Sequence, residues 1–141
     1  MIPFFRKYLS ALIFPILWTL IIAILCCLPG KMIPNEAGFK IPNFDKLVHM
    51  GLFGGFVFLW GLYASNHISN QRLLLLFFFI FFVISSFYGY SMELVQRCCI
   101  VGRDYDLADI IADLIGAGIA YGLCNLTLLE PAEKKTTNPH R

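Results

Sequence analysis

Apolar residues fall in long unbroken blocks, and polar residues are confined to the gaps between them. Four blocks stand out, at 8–28, 47–64, 73–92 and 107–129. At about 1.5 Å of rise per residue, helices of these lengths measure roughly 31, 27, 30 and 34 Å, against a hydrocarbon core of about 30 Å. The pattern predicts an all-α fold: a polytopic membrane protein built as a four-transmembrane-helix bundle over residues 1–130. A polar tail at 131–141 is expected to be disordered. Arg6 and Lys7 precede the first block, but no small-x-small cleavage site precedes Leu28, so the block reads as a retained anchor. Pro15 lies inside it. A helix beginning after Pro15 is too short to cross, so a kinked span is expected.

Composition agrees with the pattern. Of 141 residues, 58% are hydrophobic and 14% are charged, with a mean hydropathy of +0.71. Soluble domains carry about 25% charged residues, so a water-facing surface is excluded, and so is a disordered chain. Eleven Lys and Arg against nine Asp and Glu leave no basic field for nucleic acid. Eighteen of the twenty charged residues lie outside the four blocks; the exceptions are Asp109 and Asp113. Six Lys and Arg fall on the side of the termini and five on the other. The Arg6–Lys7 pair before the first helix favours cytoplasmic termini.

Alternating spans bring the polar residues to one end. Asp45, Lys46 and His49 enter the second helix there, and Glu93, Gln96 and Arg97 leave the third. Arg103, Asp104, Asp106, Asp109 and Asp113 lead into the fourth. Asp45 and His49 are four apart and share a helix face. Tyr90, Glu93 and Arg97 form one stripe, and Asp106, Asp109, Asp113, Gly116 and Ala120 another. Asp113 lies six residues into its span, where an Asp costs about 2.5–3.5 kcal/mol at the helix centre, so it should face the interior. Arg103, Arg97, Lys46 and His49 are the partners on offer. The polar pocket expected from this convergence comprises Asp45, Lys46, His49, Glu93, Gln96, Arg103, Asp106, Asp109 and Asp113.

Plainer readings accompany each of these. Asp45, Asp104 and Asp106 suit helix caps. Glu93, Asp109 and Asp113 suit an ion-pair lock with Arg103 or Arg97. No short ligand-pair motif calls for a metal, and no cofactor is implied. The serines lack a nucleophile-elbow context. Gly51/Gly55 and Gly118/Gly122 have the GxxxG spacing of helix contacts and leave a homodimer open. The five cysteines read as small apolar residues, with a bridge between Cys26–Cys27 and Cys98–Cys99 left open.

Several blocks resemble the VanZ-like family. They are Asp45-Lys46-x-x-His49-x-x-x-Phe53, Glu93-x-x-Gln96, Gly102-Arg103-x-x-Asp106-x-x-Asp109 and Gly116-Ala117. The likeness runs from about Phe44 to Gly122. It implies a small bacterial inner-membrane protein of the cell envelope, from a family named for an association with resistance to the glycopeptide teicoplanin. It supplies no reaction. The expected partners are membrane lipid and a lipid-linked envelope precursor, bound at an extracytoplasmic polar pocket. An enzyme acting on a lipid-linked substrate and a structural subunit are the alternatives.

Overall fold

The computed structural model describes residues 11–29 and 44–129. Four helices make up these residues: α1 (Ile13–Cys26), α2 (Phe44–His67), α3 (Gln71–Cys99) and α4 (Leu107–Leu128). Three of them, α2, α3 and α4, are long and apolar enough to cross a membrane. Their 24, 29 and 22 residues correspond to about 36, 44 and 33 Å.

The first apolar block departs from expectation. Its described helix has only 14 residues, about 21 Å, instead of the 21 predicted. Ala11 and Leu12 precede it as bend and turn, and Pro15 falls in the first turn, where backbone N–H groups need no helical acceptor. Proline is therefore a helix-starting residue here and no kink is required. Arg6, Lys7, residues 8–10 and the tail 131–141 lie outside the described residues.

Helices α2 and α3 extend past their predicted spans, whereas α4 matches its block to within one residue. Helix α3 continues seven residues beyond Met92, so Glu93 and Gln96 are helical and not part of a connecting loop. Asn70 starts α3 by accepting from the N–H groups of Arg72 (3.0 Å) and Leu73 (3.3 Å). The α3–α4 turn passes through Gly102 at φ +79°, a left-handed conformation that favours glycine.

Neighbours in sequence run in opposite directions, and α2 lies parallel to α4. Their shared interface is the most extensive in the bundle. Close approach is made possible by glycine: a Cβ on Gly54 would meet the Gly116 carbonyl at 2.9 Å, and one on Gly116 would strike the Met50 carbonyl. The predicted GxxxG pairs do not do this work. Gly51 and Gly122 have no neighbour within 4 Å of a Cβ, and Gly118 barely meets Phe82. Of the four, Gly55 alone is tightly used, seating the Trp18 indole, whose Nε1–H donates to the Leu52 carbonyl at 2.8 Å. Tyr88 donates from α3 to the Thr19 carbonyl at 2.9 Å and completes the attachment of α1.

The interior holds one apolar cluster around Phe53, Phe56 and Val57 and a second around Leu62, Leu74 and Phe78. The outer surface is apolar too. Phe87, Leu126 and Ile24 are more than three-fifths exposed. An exterior of this kind is suited to lipid. All five cysteines are free thiols, with Cys26 and Cys124 buried.

Candidate functional site

The parallel pairing of α2 and α4 sets the first turn of one beside the first turn of the other. Lys46 leaves α2 there, and its ammonium contacts three carboxylates: Asp45 (3.1 Å), Asp106 and Asp109. One turn deeper, His49 Nδ1 lies 2.9 Å from Asp113 Oδ1, and its Nε2 lies 3.8 Å from Asp109 Oδ2. Asp109 therefore stands between the lysine and the histidine. His49, Asp109 and Asp113 are all buried. The stripe expected on α4, from Asp106 through Asp109, Asp113 and Gly116 to Ala120, faces inward beyond its first residue.

Helix α3 closes the site from the other side. Glu93 is 2% exposed, and its Oε1 accepts the backbone N–H of Asp106. That bond fixes the turn between α3 and α4. Gln96 is also buried, and its Nε2 donates to the Cys26 carbonyl at 3.0 Å, tying the end of α1 to α3. Asp106 has two tasks. Its Oδ1 caps α4 by accepting from Ala108 N–H at 2.9 Å, and its other oxygen meets Lys46. The Lys46 ammonium, aided by that backbone bond, holds the Asp106 carboxyl below the usual carboxylate range.

Two predicted pairings are replaced. The lock of Glu93, Asp109 and Asp113 with Arg103 or Arg97 does not form among the described residues. Lys46 and His49 take Asp109 and Asp113, because both project from the α2 turn that packs directly on α4, and Glu93 is held by the Asp106 N–H. Arg97 lies outside, with its guanidinium 6.0 Å from the Tyr105 ring. Arg103 is half-buried in the turn, and its Nε is shielded from solvent without an acceptor. The Tyr90–Glu93–Arg97 stripe also separates: Tyr90 and Arg97 are exposed and only Glu93 faces inward. The buried face of α3 instead follows Ser85, Gly89, Glu93 and Gln96.

Gly89 is the residue that sequence reasoning missed. A Cβ there would fall on the Asp113 carboxylate, so the missing side chain is what makes room for the acid. Its position four residues before Glu93, on the same helix face, was the available signal. Asp104 is exposed and joins nothing in the cluster. As for a metal, no group of three His, Cys, Asp or Glu among the described residues is arranged to hold one. The Lys46 ammonium occupies the position between carboxylates where a bound cation would otherwise neutralise them.

Beside the cluster, a groove of about 370 Å³ opens along the α2–α4 seam. It begins at Met50 and Gly116, one turn from His49 and Asp113, and runs to Phe58 and Leu123. Its lining is apolar. No residue of the polar cluster lines it; Met50 follows His49 along α2, and Gly116 lies one turn beyond Asp113 along α4.

No family model, curated protein or solved structure matches this chain.

Proposed function

We propose that this is a VanZ-like protein of the bacterial cell envelope that binds the polar head of a membrane amphiphile, such as a lipid-linked envelope precursor. In this reading all four apolar segments cross the inner membrane. Both termini are cytoplasmic, and the Lys46–His49 end faces outward. The opposed directions of successive helices support the four-span arrangement, and the Arg6–Lys7 pair supports cytoplasmic termini. The observation that carries the reading is the meeting of His49, Glu93, Asp109 and Asp113, all buried, at one end of a helix bundle. Ionisable groups within membrane segments are costly and tend to mark sites of function. The apolar groove beginning beside them suits the tail of the same ligand.

The link to glycopeptide resistance rests on the motif resemblance and is directly testable. Glu93→Ala, Arg103→Ala and Asp109→Ala are each expressed in a bacterial host, with protein accumulation and teicoplanin susceptibility measured together. Loss of protection by variants that still accumulate is the expected result. Wild-type protection in all three removes the pocket from the function.

A second reading has its own observation. Lys46 is fully engaged by acids from α2 and α4, as a lock between helices would be. A structural subunit of this kind predicts that the same substitutions abolish accumulation, with no folded but inactive variant among them.

A further inference from the structure

The α3–α4 turn carries positive charge that the bundle itself does not use. Arg103 is half-buried there, and its Nε is shielded from solvent without an acceptor. Among the described residues no carboxylate pairs with its guanidinium. The acids at this end are engaged elsewhere. Asp45, Asp106 and Asp109 meet Lys46, Asp113 meets His49, and Glu93 accepts the Asp106 N–H. Asp104, next in sequence, is exposed and does not pair with Arg103.

A guanidinium has five N–H donors, accepts no hydrogen bond and stays charged in proteins. A covered N–H without an acceptor is costly, and nearly all buried polar atoms are paired. Arg103 Nε is one of two buried side-chain nitrogens or oxygens without a partner among the described residues. The other, Asn125 Oδ1, lies towards the far end of α4. An acceptor for Arg103 therefore has to come to the turn.

The surroundings select that acceptor. Arg97 is exposed in the last turn of α3, with its guanidinium 6.0 Å from the Tyr105 ring, so a second positive charge flanks the same turn. Gly102 stands immediately before Arg103 with nothing within 4 Å of a Cβ, which leaves room beside the guanidinium. Val101 and Tyr105 are exposed around it. Arginine, an aromatic ring and an aliphatic side chain at the end of a membrane helix suit the interfacial layer, where lipid phosphates lie. The paired N–H groups on one edge of a guanidinium match two oxygens of a phosphate.

We propose that the α3–α4 turn takes the phosphate of an amphiphile's head group, with Arg103 as the bonding residue and Arg97 as a flanking charge. This rests on the amphiphile-binding reading above and names the head group as a phosphate mono- or diester. Lys46 does not serve as the anion holder, because three carboxylates already engage it.

The test uses full-length protein in maltoside micelles with its arginines isotopically labelled. The Arg103 Nε–H signal is assigned by its loss in Arg103→Lys, and Arg72, at the other end of the bundle, serves as internal reference. Dodecyl phosphate, inorganic phosphate and dodecyltrimethylammonium are titrated separately, with phosphorus spectra recorded for the first two. The proposal expects a saturable shift of Arg103 Nε–H with dodecyl phosphate. Arg103→Lys keeps the charge but loses the two-bond edge, and should bind about tenfold more weakly. Arg97→Gln, at an exposed position that folding does not need, should weaken binding about two- to threefold at low salt and have no effect at high salt. Equal affinity for inorganic phosphate keeps the Arg103 site and assigns it to a soluble anion, against the amphiphile reading. Saturable binding of dodecyl phosphate that leaves Arg103 Nε–H unmoved, or tighter binding of the trimethylammonium head group, overturns the Arg103 assignment and leaves the amphiphile reading standing. No saturable binding of any of the three overturns this inference, and the teicoplanin susceptibility of the Glu93→Ala and Asp109→Ala hosts then decides the reading above.

Discussion

At Gly89 one missing methyl group decides whether a buried acid can meet its base. The Cβ of an alanine there would contact the Asp113 carboxylate and come within 3.2 Å of Asp113 Cβ. Two effects oppose each other. Alanine favours the helix by about 1 kcal/mol over glycine, whereas the charge-assisted bond it displaces contributes about 1.5–3 kcal/mol. The bond wins, so Gly89→Ala should destabilise the protein by roughly 1 kcal/mol, read as a lowered Tm in micelles. An unchanged or raised Tm would show that the carboxylate has room elsewhere. Asp106 offers a cleaner separation of charge from capping, because asparagine caps helices as well as aspartate does. Its folded carboxyl titrates below its unfolded value of about 3.9. Its stabilising effect is therefore present above about pH 4 and lost as pH falls through the lower folded value. The group is half exposed, so the effect is modest. Asp106→Asn should flatten the acid limb of a Tm-against-pH curve measured from pH 6 to 3, and an unchanged limb would mean that the Lys46 pairing contributes nothing.

Among the helices, the glycines show what was legible in the chain and what was not. The existence of α2, α3 and α4 followed from block length alone, and so did the gathering of polar residues at one end. Helical spacing also placed Asp109, Asp113 and Gly116 on one inward face. Spacing did not show which glycines are packed, since GxxxG describes one helix and contact requires two. The working approach is Gly54 on Gly116, which follows from the register set by Lys46 on Asp109 and His49 on Asp113. The partners of the acids were illegible for the same reason: which cation reaches Asp113 depends on how two helices are phased. The start of α1 is not legible in the chain, because a proline suits both a kink within a span and the first turn of a helix. A contrast within α4 checks the register. Gly116→Ala forces two backbones apart and should cost about 1–3 kcal/mol. Gly122→Ala meets nothing within 4 Å and should be neutral or stabilising by up to about 1 kcal/mol. Equal effects of the two on Tm would contradict the α2–α4 packing.

At the scale of the whole bundle, the site depends on four helix ends meeting at one face of the bundle, joined by three ties. The Gln96–Cys26 bond ties the end of α1 to α3, Glu93 ties α3 to the start of α4, and Lys46 ties α4 to the start of α2. Cutting any one of these ties leaves a buried polar group without its partner, so the polar end should open as a unit. The same geometry fixes sidedness without reference to ligand or phenotype. Cys27, Cys98 and Cys99 are exposed natural reporters at this end. The α2–α3 connection, with exposed Ser69, lies at the other. In sealed vesicles a membrane-impermeant maleimide should label the three cysteines from one side only, and Ser69→Cys from the opposite side, as read by mass spectrometry of the modified peptides. Labelling of Cys27 from the same side as Ser69→Cys would mean that α1 does not run alongside α3 in the membrane. The Gln96 bond would then be absent, and the floor beneath the acid cluster would have to be built from something other than α1.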